Sequence, residues 1–297
     1  MDKSLKKVIY ITNVFPSYRK ELWKELLSLK KVDFNIYFSH KEFQGIGSAS
    51  IDLNFKESER KKLYPLKNVN LFGHIWWQMG ILMILISKGY DSVIFLGDMK
   101  IISNWLGMII CKLRGKKILL WTHGTYGNEK PLKKTIRYIF LNLADSIFLY
   151  EKRAKRILLR NNFLDEKLHV VYNSINLNKQ TKVYQSLDLY KKNLHNINNY
   201  NLVFFGRLTN VKRIDLAIEA VIQLNRKFQK FFLKIVGDGP EEEYLKKIVC
   251  DADANEYISF ERAKYSEYEI GQMFFQSDLL ISPGNVGLNA VHAMFYG

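Results

Sequence analysis

The chain has 297 residues, 47% of them apolar, enough to bury the cores of about two domains. Its two cysteines, Cys111 and Cys250, lie far apart in apolar or helical surroundings, which argues against a disulfide framework or a zinc site and makes a reducing cytoplasm the default compartment. The net charge of +16 suits an anionic partner, whether nucleic acid, an acidic membrane surface or a phosphorylated substrate, and the charged start runs straight into a short strand, so no secretory leader is read there.

In chain order, the β-branched run 7–12 predicts a strand, and the spacing of Leu22, Trp23, Leu26 and Leu27 predicts a helix over 18–29. A strand follows at 34–38. Residues 75–87 read as one apolar helix, 92–96 as a buried strand, 102–113 as a helix and 117–121 as a strand. Helices at 132–142 and 151–160 then flank a strand at 146–149, and 170–172 is a short strand. This alternation predicts a doubly wound parallel sheet. The polar stretch from 176 to 200 reads as a linker carrying one loose helix. The alternation then restarts, with strands at 202–205, 232–236, 257–260 and 279–281 and helices at 214–226, 241–250 and 268–276. The expected division is a first domain at 1–176, a linker at 177–199 and a second domain at 200–297. The apolar runs 75–86 and 101–111 both fall short of the roughly 20 residues that a spanning helix needs. The first, with Trp76, Trp77 and Met79, either packs on the sheet or lays its outer face in a lipid interface.

Two strand-to-helix turns carry the chemistry. In the first, a buried strand ends at Gly206, and Arg207-Leu208-Thr209-Asn210-Val211-Lys212 precedes a helix. A glycine there lets the backbone approach a ligand closely. Arg207 offers a fork of donors to phosphate oxygens, Lys212 adds a point charge, and the helix start adds unpaired N–H groups. In the second, Val236 leads into Gly237-Asp238-Gly239-Pro240 before another helix. Ligands of open α/β sheets bind outside the carboxyl ends of the strands, where both turns would lie.

Together with Asn173-Ser174-Ile175-Asn176, these turns resemble glycosyltransferase family 4, whose pattern is roughly a GRL-x-x-x-K turn, then VGDGP, then an E-x7-E stretch. The last is represented here by the segment from Ser282-Pro283-Gly284 to His292-Ala293-Met294. Val14-Phe15-Pro16-Ser17-Tyr18-Arg19 is similar to the family's first turn, and Trp121-Thr122-His123-Gly124 to its central strand end, so the likeness covers nearly the whole chain. The resemblance implies a GT-B fold, two Rossmann-like domains facing a cleft, and retaining transfer of a sugar from a UDP- or GDP-linked donor to a lipid-linked or glycan acceptor in bacterial surface polysaccharide synthesis. It implies that Arg207 and Lys212, beside Gly206, hold the diphosphate and meet the leaving-group charge. Gly237, Asp238 and Gly239 would face the same crevice. Arg262 would lie near the base, and the amides of Val286, Gly287 and Leu288, with Asn285, would reach phosphate or sugar. His123 would lie near acceptor and donor sugar, with Ser17, Tyr18, Arg19 and Gly124 on the acceptor side. No cofactor and no metal is expected. Placement on the inner face of the plasma membrane, in peripheral contact with anionic lipid, fits the basic balance.

Two features depart from the family pattern. Gly284 and His292 stand where the family has glutamates; His292 retains the capacity to hydrogen-bond a ribose hydroxyl, whereas Gly284 has no side chain. The family continues beyond the glycine equivalent to Gly297, so the second domain is expected to be incomplete, with apolar surface showing at Phe274, Leu279 and Met294. An inactive remnant is therefore the competing expectation. The Asp251-Ala252-Asp253 triplet matches a metal-holding pattern of another glycosyltransferase fold, but its place between a helix and a strand marks a surface loop, as with His169 and His195. A nucleic-acid-binding role is disfavoured, because the lysines are dispersed and no recognition motif accompanies them.

Overall fold

The computed structural model describes residues 5–16, 19–39, 55–173, 175–187 and 199–297. Contacts divide the chain into two units, Met1–Asn173 and Ser174–Gly297.

The first unit is built on β1 (Lys6–Ile11), α1 (Lys20–Leu27), β2 (Val32–Ser39), α2 (Glu57–Arg60) and β3 (Leu63–Leu66). A small antiparallel hairpin, β4 (Asn68–Leu71) and β5 (Ile75–Gln78), leads into α3 (Ile81–Ser87). Then come β6 (Ser92–Leu96), α4 (Ile102–Leu113), β7 (Lys117–Thr122), α5 (Pro131–Asn142), β8 (Ser146–Leu149), α6 (Lys152–Leu159) and β9 (Leu168–Val170). Seven strands form a parallel sheet in the order β3-β2-β1-β6-β7-β8-β9. Two cores flank it. On one face Ile81, Leu85, Met108, Cys111, Phe140 and Leu158 from α3 to α6 pack on the sheet. On the other, Trp23 and Leu27 of α1 pack with Tyr10, Phe15, Ile36 and Phe38.

The helix expected over 75–87 is corrected. Gly80 adopts φ +81, a left-handed conformation that breaks the run. The residues before this glycine pair as β5, and only those after it are helical. Hydrophobicity alone cannot separate a short strand from a short helix when both are apolar. The strand expected at 170–172 instead ends at Val170, because Tyr172 turns to φ +56.

The second unit comprises α7 (Leu177–Leu187), β10 (Tyr200–Phe205), α8 (Ile214–Phe228), β11 (Phe231–Val236), α9 (Glu242–Asp251), β12 (Ile258–Glu261), α10 (Glu267–Phe275), β13 (Leu279–Leu280) and α11 (Asn289–Tyr296). Its parallel sheet runs β12-β11-β10-β13. Leu202, Phe204, Ile218, Val221 and Ile235 fill one face, while Val203 and Val236 meet Met273, Phe274 and Tyr296 on the other. Helix α7, inside the stretch read as a linker, contributes Leu187 to this second core. Its Val183 and Leu187 come so close to Gly271 of α10 that a β-carbon there would stand 2.8 Å from each. Of the apolar residues expected at the surface, Leu279 and Met294 are exposed, but Phe274 is buried between Phe205 and Tyr296.

Candidate functional site

In both sheets the chain reverses its direction of strand addition, at β1/β6 in the first unit and at β10/β13 in the second. Open α/β sheets offer a crevice beyond the carboxyl ends of their strands at such points. Each unit presents a candidate site there.

In the second unit the two glycine turns lie side by side. Gly206 follows β10 at φ +149 and Gly237 follows β11 at φ +153, both in the region that favours glycine. A β-carbon on Gly237 would stand 1.9 Å from the Gly206 carbonyl oxygen, so a side chain at 237 would force the turns apart. Gly239 is equally constrained, its β-carbon position lying 2.2 Å from the Leu208 oxygen. Backbone bonds lock the pair: Gly206 N–H donates to Val236 O at 3.0 Å and Leu208 N–H to Asp238 O at 3.0 Å. The Asp238 carboxylate accepts from Ala263 N–H at 3.3 Å, which ties in the turn after β12 that carries the exposed Arg262.

Lys212 closes a short 3-10 turn, Asn210–Lys212, and its Nζ donates to the Asn285 carbonyl in the loop after β13. The Gly284 and Asn285 amides return the contact, donating to Lys212 O at 3.0 Å and Val211 O at 2.9 Å. Partial burial, with the positive charge of Arg207 second, holds the Lys212 ammonium below the ordinary lysine range. Two cations close enough to perturb each other suit a polyanionic ligand placed between them. Arg213 is otherwise engaged, in an ion pair with Asp215 at 2.9 Å.

Gly284 has its own reason. A β-carbon there would lie 2.3 Å from Val211 O and 2.6 Å from the Lys212 carbonyl carbon, so the turn leaves no room for an acidic side chain. His292 is buried on α11. Its Nδ1 is 3.3 Å from a Glu267 carboxylate oxygen and 3.2 Å from Gln180 Nε2, and its ring stacks on Phe274 at 6.2 Å and 10°. Tyr296 donates to the same carboxylate at 2.9 Å. Burial alone would raise the Glu267 carboxyl, but hydrogen bonds from His292, Tyr296 and Gln180 outweigh it and hold the group below the usual carboxylate range. His292 thus serves a network tying α7, α10 and α11 together through its Nδ1. The Gly287 amide donates to Asn289 Oδ1 at 3.0 Å. Asn289 in turn donates to Phe205 O at 3.0 Å and so pins this loop to the end of β10. Val286 is exposed and Leu288 half-buried on the same loop.

In the first unit a cavity of about 290 Å³ opens at the ends of β1, β6, β7 and β8, lined among others by Asn13, Arg19, Trp121, His123, Tyr126 and Tyr150. Arg19 is buried, with its guanidinium 5.2 Å from the Trp121 ring centre and 5.3 Å from that of Tyr150, whose hydroxyl accepts from it. The His123 ring lies 4.5 Å from Tyr150 and 6.2 Å from Tyr126. Desolvation, then the Arg19 charge and more weakly that of Arg137, hold its imidazole below the ordinary histidine range, with Glu151 opposing them. Gly124 is required at φ +70, where a β-carbon would meet Leu149 at 2.8 Å. Its carbonyl accepts from Arg137 at 3.0 Å. The following turn is organised by Glu129, which accepts from the Thr125 hydroxyl at 2.8 and 2.9 Å and from the Gly127 amide at 3.0 Å, and pairs with Arg137 at 3.2 Å.

The structure therefore gathers Gly206, Arg207, Lys212, Gly237, Asp238, Gly239, Arg262 and the 285–288 loop at one sheet edge of the second unit, and Arg19, His123 and Gly124 around one cavity of the first. Ser17 and Tyr18 lie outside the described residues, as does His195. His169 is exposed on β9. Among the described residues no group of three or more His, Cys, Asp and Glu is placed to hold a metal. Sequence reasoning missed Trp121 as a lining residue, and also Tyr126, Arg137, Tyr150 and Asn289. No spacing signal marks these, since they meet only through the sheet topology; Glu129, four residues beyond Thr125, lies within reach of turn reasoning.

Residues 185–297 match the family described as glycosyl transferases group 1. An uncharacterized glycosyltransferase of Methanocaldococcus jannaschii is 28% identical over 200 residues, which cover 62% of this chain and 48% of that protein. The aligned region thus spans about half the length of that curated relative. Anabaena HepE in complex with UDP superposes with a TM-score of 0.66 at 14% identity, covering 98% of this chain and 79% of that one. The lipopolysaccharide outer core galactosyltransferase WaaB superposes at 0.62 and 17% identity, covering 98% and 78%. The fold matches that of GT-B glycosyltransferase structures. The group 1 match begins within α7 and contains both glycine turns and the 284–288 loop.

Proposed function

We propose that the chain is a retaining glycosyltransferase that moves a sugar from a nucleoside diphosphate sugar to a lipid-linked or glycan acceptor, as in the synthesis of bacterial surface polysaccharide. The observation that carries this is the close approach of the Gly206 and Gly237 turns at the carboxyl ends of adjacent parallel strands, flanked by Arg207 and by a Lys212 anchored to the loop after β13. Such an edge accepts a diphosphate: the backbone comes near, and the cations answer its charge.

In the proposed reaction the bond from the anomeric carbon to the diphosphate oxygen breaks and its electron pair leaves on the nucleotide, while an acceptor hydroxyl forms the new bond and passes its proton to the departing diphosphate oxygen. Arg207 and Lys212 stabilise the leaving diphosphate, so no cofactor or metal is assigned. Arg262 serves the base side, and Asn285 with the Val286 and Leu288 amides serves phosphate or sugar. Arg19, His123 and Gly124 belong to the acceptor side. UDP bound to HepE and the galactosyltransferase activity in the name of WaaB support a nucleotide-sugar donor. We place the protein on the cytoplasmic side of the plasma membrane.

Calorimetric titration of the purified chain with UDP and GDP tests the assignment. Binding of one of them at micromolar to millimolar concentration is expected, competed by its nucleotide sugar. Absence of binding to either nucleotide overturns it.

A further inference from the structure

Helices α3 to α6 cover one face of the seven-stranded sheet, and their outward sides are unusual for a protein surface. Along α3 and the turn before it, Met79, Met83 and Ile86 are exposed at intervals of four and three residues, Met83 at 68%. Along α4, Ile102, Leu106, Ile109 and Leu113 repeat the stripe, ending with Leu113 at 84%. Along α5, Leu132, Ile136 and Ile139 make a third, with Leu132 at 74%. Each stripe is one side of a helix whose opposite side is already buried on the sheet.

The three helices adjoin. Gly107 of α4 lets α3 approach until a β-carbon there would stand 2.9 Å from Leu85. Trp105 of α4 meets Phe140 of α5 with ring centres 4.9 Å apart. The stripes therefore form a contiguous aliphatic surface of the kind that marks an interaction site. No Asp or Glu occurs in α3, α4 or α5, whereas Lys112, Lys130 and Lys133 are exposed at their ends.

Beside α5 the surface turns basic. Arg153, Arg156 and Arg160, at helical spacing on and just beyond α6, line with Tyr126 and Gly127 a pocket of about 500 Å³. Arg153 donates to Tyr126 O at 3.4 Å, and none of the three pairs with a carboxylate among the described residues. Planar guanidinium groups left without anions fit phosphate oxygens.

We propose that the outward face of α3, α4 and α5 docks on an anionic lipid bilayer, the aliphatic stripes entering the interface and the arginines of α6 taking headgroup phosphates. Apolar side chains over cationic flanks are the composition of surface-lying membrane helices, and burial of the stripes adds to attraction by the charged leaflet. A second copy of the chain fits this face less well, because it would set two cationic rims against each other. The half-buried Trp76 and Trp77 lie on β5, so the contact belongs to the helices rather than to the tryptophans. No helix among the described residues is long and apolar enough to cross a membrane.

Flotation of the 297-residue chain with phosphatidylcholine vesicles, alone or with about one-third phosphatidylglycerol, reads this directly. The chain is expected to float with the anionic vesicles and to remain below with the neutral ones. The triple variant L106E/I109E/L113E is expected to lower partitioning about tenfold or more. R153Q/R156Q/R160Q, which leaves every apolar contact in place, is expected to do the same with anionic vesicles only. Circular dichroism and UDP affinity measured without vesicles report folding and the nucleotide site, so failure here is distinct from failure of the sugar-transfer assignment. The docking surface is overturned if the wild type ignores both vesicle types or if both folded variants float as the wild type does. It is overturned too if light scattering shows a dimer that the aliphatic variant dissolves without change in flotation.

Discussion

The carbonyl oxygen of Gly206 stands 1.9 Å from the place that a β-carbon on Gly237 would occupy. Around Gly206 itself the nearest obstacle to a β-carbon is the Phe204 ring at 3.8 Å, so the two glycines differ in kind. Gly206→Ala meets only backbone strain, expected to cost about 1–3 kcal/mol. Gly237→Ala adds a steric conflict with fixed backbone and should cost about 1–3 kcal/mol more. Urea denaturation of both variants checks the order; equal losses would contradict it.

Arg207→Ala and Lys212→Ala should each weaken UDP binding by about 1.5–3 kcal/mol, the loss of one charge-assisted contact. Arg207 is exposed and Lys212 half-buried, so the circular dichroism spectrum should not change. Calorimetric affinities unchanged in both variants would remove the phosphate role from this edge.

Gly284→Glu places a carboxylate where the resemblance to family 4 leads one to expect it. Because the position lies against Val211 and Lys212 backbone, the substitution should displace the loop rather than add a sugar contact. A stability loss of about 1–3 kcal/mol together with weaker UDP binding is expected. Gain of donor affinity at undiminished stability would show that the loop yields more easily than its packing indicates.

The His123 imidazole should titrate below its usual 6.5, which NMR can follow directly. The unfolded chain then binds the proton more readily than the folded one. Its contribution is neutral well above pH 6.5 and becomes destabilising as pH falls from there towards the folded value. His123→Gln should therefore lose less stability than the wild type on acidification through that window.

Glu267 works in the opposite sense. Its folded carboxyl lies below its usual 4.5, so the stabilisation it confers is present above that value and fades as pH falls through the folded one. Glu267→Gln should cost about 1–3 kcal/mol at neutral pH, by weakening the His292 and Tyr296 contacts. Denaturation curves of variant and wild type should converge at acid pH.

The alternation of strands and helices was legible because buried parallel strands read as apolar runs and the helices between them as amphipathic ones. The two glycine turns were legible for the same reason, each marking the end of such a run. The β4–β5 hairpin was not: Asn68–Leu71 is short and half polar, and Ile75–Gln78 merges with the helix beyond Gly80. His292 illustrates another limit. Its partners Gln180 and Glu267 lie 112 and 25 residues away, which no local pattern brings together. Arg19 was found through family likeness, whereas Tyr150, 131 residues on, was found only through the sheet that joins them.

Glu129 has a consequence for how the first unit can vary. One carboxylate, held low by the Thr125 hydroxyl, backbone amides and Arg137 against the opposing pull of burial, dictates the course of the chain from Thr125 to Glu129. Tyr126, Gly127 and Asn128 are exposed between these anchors. The loop thus behaves as a rigid mount with interchangeable fittings: Tyr126 and Asn128 can be exchanged without redrawing the backbone, and a ligand arriving there meets a shape that exists before it binds.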